Sequence, residues 1–180
     1  MRGQMLGIAL DLFMELNRKI TAAFAHRPQP LNVVPLSHAK THEYEEALHF
    51  QDREWESLSV IEVNQFADAI YSFTPLAFCY FLPGFLCAGI QENKTDLLVY
   101  GPLIGMLDRS PAISNWDTFF LERWCLLTIA ECVAVQEWVL WLANFGDIAF
   151  DQDSLTRAYE TLDILSKEHE AFLQFRQLLH

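Results

Sequence analysis

From Ala69 to Ile90 the chain runs for 22 residues, AIYSFTPLAFCYFLPGFLCAGI, without a charged side chain, and no other feature narrows its folding options as much. As a single helix, a run of that length would span the hydrocarbon core of a bilayer. Three residues speak against it. Pro75, Pro83 and Gly84 are expected to break the run into shorter helical pieces, and Thr74-Pro75 reads as an N-cap followed by proline at the first helical position. The flanks, Asp68 and Glu92, are acidic and lack the basic anchors of a membrane interface. The expectation is a buried central helix of a soluble bundle.

The composition fits that expectation. With 180 residues, 52% of them hydrophobic, the chain suits one domain in which about 70% of the unfolded surface can be buried. It carries 24 acids against 12 bases, a net charge of -12. A rich core under a strongly anionic exterior excludes disorder, and the negative field argues against a nucleic-acid partner. Cys79, Cys87, Cys125 and Cys132 lie in apolar stretches without a CxxC pair, and read as small buried hydrophobes of a reducing, cytoplasmic compartment. The opening MRGQMLGIALDLFMEL, interrupted by Asp11, reads as a helix rather than a signal peptide.

Apolar residues recur at three- and four-residue intervals, with no sustained alternation and no Asn-Gly or Asp-Gly hairpin turn, so the chain is predicted to be an all-α, single-domain bundle of about six to seven helices. The first covers 4–24 and ends in a proline-rich connector near 27–36. Ser37 is expected to cap a second helix reaching Phe50, Ser59 a third through Tyr71, Thr74 a fourth, and Thr95 a fifth that Pro102 kinks or divides. One long helix is expected over 116–144, stopped near Gly146, and a last one capped by Asp151 or Asp153.

Few residues suggest chemistry. His38, His42, Glu45 and His49 fall in a narrow arc of the second helix, and two histidines four apart can share a metal ion. His38 and His49 would lie about 16 Å apart along the axis, so only His38 with His42, or His42 with Glu45 and Glu46, could ligate together. The competing reading is a solvated face. Glu131, within LLTIAECVAV, is either a buried acid able to move a proton or a structural acid paired with a base such as Arg123. His169 is expected to be an interface histidine. No GxSxG, HExxH, GxGxxG or phosphate-cradling glycine loop is present.

The acids gather instead in EYEE (Glu43, Glu45, Glu46), QDREWE (Asp52, Glu54, Glu56) and FDQD (Asp151, Asp153). Such runs are ordinarily solvated faces, but acidic surfaces also steer basic proteins toward them while a buried anchor sets the dissociation rate. Trp55, between Glu54 and Glu56, is either that anchor or a plug in the core.

The stretch Phe50, Arg53, Trp55, then Ser72-Phe73-Thr74-Pro75-Leu76-Ala77-Phe78-Cys79-Tyr80-Phe81-Leu82-Pro83, resembles the F-x-x-R-x-W and proline-containing core of a small, uncharacterised bacterial all-α family. The likeness covers about 40–145. It departs where Leu76 replaces an acid after the proline and Gly84 replaces a small alanine. The resemblance implies an α-helical fold and brings no catalytic residues with it. Small acidic proteins of this look are frequent among immunity proteins encoded beside bacterial toxins, an association rather than a derivation.

The leading expectation is a non-enzymatic binding protein of that type, acting on a basic toxin partner, with no cofactor. A metal- or small-ligand-binding enzyme, built on His38, His42 and Glu45 or on a pocket beneath Tyr80 and the tryptophans, stands against it. So does a structural homodimer.

Overall fold

A computed structural model describes the backbone of residues 2–36, 41–146 and 150–177, and side chains within 11–36, 41–146 and 150–174. Among the described residues every regular element is helical: ten α-helices and two single 3-10 turns, Trp55–Ser57 and Ile113–Asn115. The class matches expectation; the number of helices is higher, because three expected helices, the third, the long one over 116–144 and the last, are each divided in two.

Helix α5 (Pro75–Glu92) is the central element, and every residue from Ala77 to Ile90 is buried. A helix apolar on all sides must be covered on all sides. Around it pack α1 (Arg2–Phe24), α3 (Val60–Gln65), α7 (Thr118–Trp124) and the 55–57 turn. Thr74 caps α5, its hydroxyl accepting from the Ala77 N–H at 3.2 Å, and Pro75 takes the first turn as expected. Pro83 does not break the helix, contrary to expectation, since packing on its whole circumference holds the turn that proline weakens. Gly84 has its own reason: a Cβ there would lie 2.7 Å from the Trp55 carbonyl oxygen, so glycine lets the 55–57 turn rest on the helix. Aromatic rings fill the adjoining core, with Phe50, Phe73, Phe81 and Phe85 meeting at centroid separations of 5.3–6.1 Å.

The expected third helix is two: α3, whose Ser59–Glu62 capping box is complete, and α4 (Ala69–Ser72). Helix α2 (His42–Leu48) starts at Thr41 rather than at Ser37, which lies outside the described residues, and packs on α4. Helix α6 (Tyr100–Leu107) starts later than Thr95, so Pro102 sits in its first turn, where no intrahelical N–H is needed, and kinks nothing. The expected helix over 116–144 is α7 and α8 (Ile129–Phe145), meeting at 108°. Asp117 caps the first and a Thr128–Glu131 capping box starts the second. Helix α8 packs on α1 and on α9 (Gln152–Lys167), which Asp151 caps, and α9 is followed by α10 (His169–Gln177). No single helix among the described residues is long and apolar enough to cross a membrane.

Candidate functional site

The cations are the place to begin, because there are few of them. Each described Lys and Arg has a carboxylate within 4.0 Å: Arg18 with Glu15, Lys19 with Glu137, Arg27 with Glu131, Arg53 with Glu62, Lys94 with Glu92, Arg109 with Asp117, Arg123 with Glu122, Arg157 with Asp108 and Lys167 with Asp163. Among the described side chains, every Lys and Arg therefore has an acidic neighbour within the chain. The acids left without a Lys or Arg partner among the described residues include Glu43, Glu45, Asp52, Glu54, Glu56, Asp151 and Asp153. Glu45, Asp52, Glu54, Glu56, Asp151 and Asp153 are exposed; Glu43 is partly so, its carboxyl held below the usual range by hydrogen bonds to Thr41 and the backbone. These seven occupy two regions, while Asp11, Asp68, Asp96, Glu160, Glu168 and Glu170 are exposed acids elsewhere that likewise form no ion pair with a described Lys or Arg. Glu43 to Glu56 lie on α2 and the loop leading into the 55–57 turn, whereas Asp151 and Asp153 open α9, which packs on α8 and α6.

Two of the expected binding residues point elsewhere. Glu46 is buried: its Oε2 accepts from the Asp68 N–H at 3.0 Å and its Oε1 lies 2.9 Å from His42 Nε2, so it fastens α2 to the start of α4. Trp55 is a core plug, 4% exposed, seated on α5 where Gly84 makes room, and its ring is not offered on the acidic surface. Between them, Glu62 organises the loop. Its Oε1 receives Arg53 Nη2 at 2.6 Å and lies 3.6 Å from His49 Nε2, while Oε2 accepts from the Ser59 hydroxyl at 2.8 Å. Burial alone would raise Glu62, but the hydrogen bonds from Ser59, the charge of Arg53 and a hydrogen bond from His49 outweigh it and hold the carboxyl below its ordinary value. The His49 ring stacks on Phe66 at 4.0 Å. The acidic loop is therefore held in shape by a part-buried ion pair and a ring stack.

His38 lies outside the described residues. His42 is exposed and turned to Glu46, and Glu45 is exposed; among the described residues no three His, Cys, Asp or Glu side chains are grouped to hold a metal ion. Tyr80 is buried with its hydroxyl against the Trp55 backbone, and the space beside Trp55, bounded by Thr21, Glu56, Gly84 and Cys87, is about 60 Å³, on the scale of a water or two. Cys87 and Cys132 are buried, and burial pushes both thiols up to about 12, so neither is a thiolate near neutral pH. Glu131 is structural. It closes the α8 capping box, with Oε2 accepting from the Thr128 N–H at 2.7 Å, and its ion partner is Arg27 at 2.6 Å rather than Arg123.

A second concavity escaped the sequence reading. Between α4, α6 and the start of α7 lies an open groove of about 630 Å³, walled by Tyr71 and Phe119, floored by Gly101 and Gly105, and ended by Arg109 and Asp117. Arg109 is held in place: Nε donates to the Met106 carbonyl at 2.7 Å, Nη1 lies 2.7 Å from Asp117 Oδ2, and its Cζ sits 4.9 Å from the Phe120 ring centre. Behind the groove, Arg123 is 7% exposed, with Cζ 3.6 Å from the centre of the Phe119 ring. Its Nη2 donates to the Phe73 carbonyl at 2.8 Å, its Nε has no partner, and burial pulls it below the ordinary guanidinium value. The one local signal for this groove was the four-residue spacing of Gly101 and Gly105 in YGPLIGML.

No family model matches the chain, and neither does any curated protein or solved structure.

Proposed function

We propose that the protein is a non-enzymatic binding protein of the immunity type, which acts in the cytoplasm and neutralises a basic bacterial toxin domain by covering it with an acidic face. One observation carries this reading: the described Lys and Arg side chains all have acidic neighbours within the chain, while exposed acids on α2 and the 52–56 loop form no ion pair with any of them, and Asp151 and Asp153 share only the field of Arg157, which bonds to Asp108. A surface of uncompensated carboxylates on a firm scaffold attracts a cationic protein at long range and raises its association rate. Glu45, Asp52, Glu54 and Glu56 are the residues assigned to first contact, with Glu43, Asp151 and Asp153 extending the field.

The test is binding to the toxin-like domains encoded beside this gene, followed by stopped flow at 50 and 500 mM NaCl. The expected result is a stable complex whose association slows about tenfold or more at the higher salt, and slows likewise in a Glu45→Lys/Glu54→Lys/Glu56→Lys variant. A complex indifferent to both, or no complex with any neighbouring domain, rejects the reading.

A further inference from the structure

We infer that the groove over α6 is a binding site for a neutral, planar aromatic ligand that presents an amide-like donor–acceptor edge. The site is separate from the acidic face and does not depend on its function.

The groove's volume, about 630 Å³, is that of a small-molecule pocket. Its floor is the unusual part. Gly101 and Gly105 both lie in α6, where glycine costs about 0.5–1 kcal/mol relative to alanine. Nothing among the described residues asks for them: neither has a positive φ, and a Cβ added at either would meet no described atom within 4 Å. Gly84 and Gly89 differ, since a Cβ there would fall within 3 Å of packed neighbours. Both glycines are exposed, and a side chain added at either would project into the open groove.

The walls and the end define what fits. Tyr71 and Phe119 offer ring surface, and the Phe119 ring has the Arg123 guanidinium against it at 3.6 Å. A ring drawn toward a buried cation stacks best with an electron-rich planar partner. At the end, Arg109 has an Nη2 without a hydrogen bond among the described residues, next to a half-exposed Asp117 Oδ2. Asp117 is firm as well, because its Oδ1 already accepts from the Phe120 N–H at 2.9 Å. A guanidinium donor beside a carboxylate acceptor matches a lactam or carboxamide, whose carbonyl accepts from Arg109 and whose N–H donates to Asp117. An anionic ligand meets Asp117 and a chain of net charge -12, and is disfavoured.

The probe is quinolin-2(1H)-one, titrated into 15N-labelled protein and followed by amide shifts. Two comparators are 1-methylquinolin-2-one, which lacks the donor, and quinoline-2-carboxylate, which carries charge. The expected result is saturable binding at about 0.1–1 mM, with shifts at Tyr71, Gly101, Gly105 and Phe119. Both comparators should bind about fivefold more weakly or worse, the scale of one lost hydrogen bond. Gly105→Leu should weaken the parent lactam about tenfold or more while keeping its melting temperature, since its Cβ enters empty space; Gly101→Ala provides a smaller, safer obstruction. Absence of saturable shifts at these positions, equal binding of the N-methyl compound, or unaltered binding to folded Gly105→Leu overturns the inference.

Discussion

Gly84 and Gly105 are the same residue under opposite constraints, and the contrast lies in what surrounds their missing side chains. An alanine methyl at 84 would fall 2.7 Å from the Trp55 carbonyl oxygen and 2.8 Å from Leu58 Cδ1. The first neighbour is backbone and cannot swing away, so the 55–57 turn must lift from α5 and take buried Trp55 with it. Overpacking of this kind typically destabilises by about 1–3 kcal/mol. Gly84→Ala is therefore expected to lower the urea midpoint by an amount in that range, with a change in tryptophan fluorescence as Trp55 moves. A variant as stable as the parent would mean that the turn accommodates the methyl by a shift too small to matter.

Helices α7 and α8 turn a corner of 108° at 125–128, and the corner is tied to the end of α1 by Arg27. Its Nε donates to Glu131 Oε1 at 2.6 Å and its Nη2 to the Leu126 carbonyl at 2.6 Å, while Glu131 is 2% exposed and also closes the α8 capping box. Replacing Arg27 alone strands a buried carboxylate, a change that costs about 3–5 kcal/mol. Arg27→Met is expected to fall in that range by urea denaturation. The double variant Arg27→Met/Glu131→Gln should recover about 1–3 kcal/mol of the summed single losses, because glutamine keeps the cap without the charge. Strict additivity would show that the pair is not coupled. This corner also marks where the sequence was and was not legible. Caps written in a few adjacent residues, at Ser59, Thr74 and Asp151, were readable because a hydroxyl or carboxylate reaching an N–H three residues on is a local event. The break at 125–128 was hidden by an apolar period that continues from Phe119 to Leu142, although Thr128-x-x-Glu131 spelled a capping box within it. Pro83 misled in the other direction, since its tolerance comes from neighbours on every side of α5. The acids of the candidate face were legible one by one. Their lack of partners was not, because it depends on where each Lys and Arg is placed by the fold.

At the scale of the molecule, two electrostatic effects oppose each other, and salt and pH separate them. Asp108, bonded by the Arg157 guanidinium, is held below the usual carboxylate range, and Glu62 is held there by Ser59, Arg53 and His49. A depressed carboxyl stabilises the fold above its unfolded value, near 3.9 for Asp and 4.3 for Glu, and that contribution is lost as pH falls through the lower folded value. These pairs therefore contribute a constant amount from about pH 6 to 8 and fail in acid. The uncompensated acids act the other way. With net charge -12 and exposed carboxylates at Glu45, Asp52, Glu54 and Glu56 within one short segment, self-repulsion destabilises the fold and weakens as salt screens it. Exposed pairs such as Arg18–Glu15 and Lys167–Asp163 contribute little, so little is lost when salt screens them. The balance at pH 8 is set by repulsion, so 0.5 M NaCl is expected to raise the urea midpoint there by screening it. Lowering the pH should leave the contribution of Asp108 and Glu62 unchanged down to about pH 6, and the midpoint should fall below about pH 4 as that contribution is lost. Urea melts across pH 3.5–8 at two salt concentrations distinguish the two effects. A midpoint that drops with salt at pH 8 would place the internal ion pairs, rather than the unpaired acids, in control, and would remove the electrostatic strain that a basic partner is proposed to relieve.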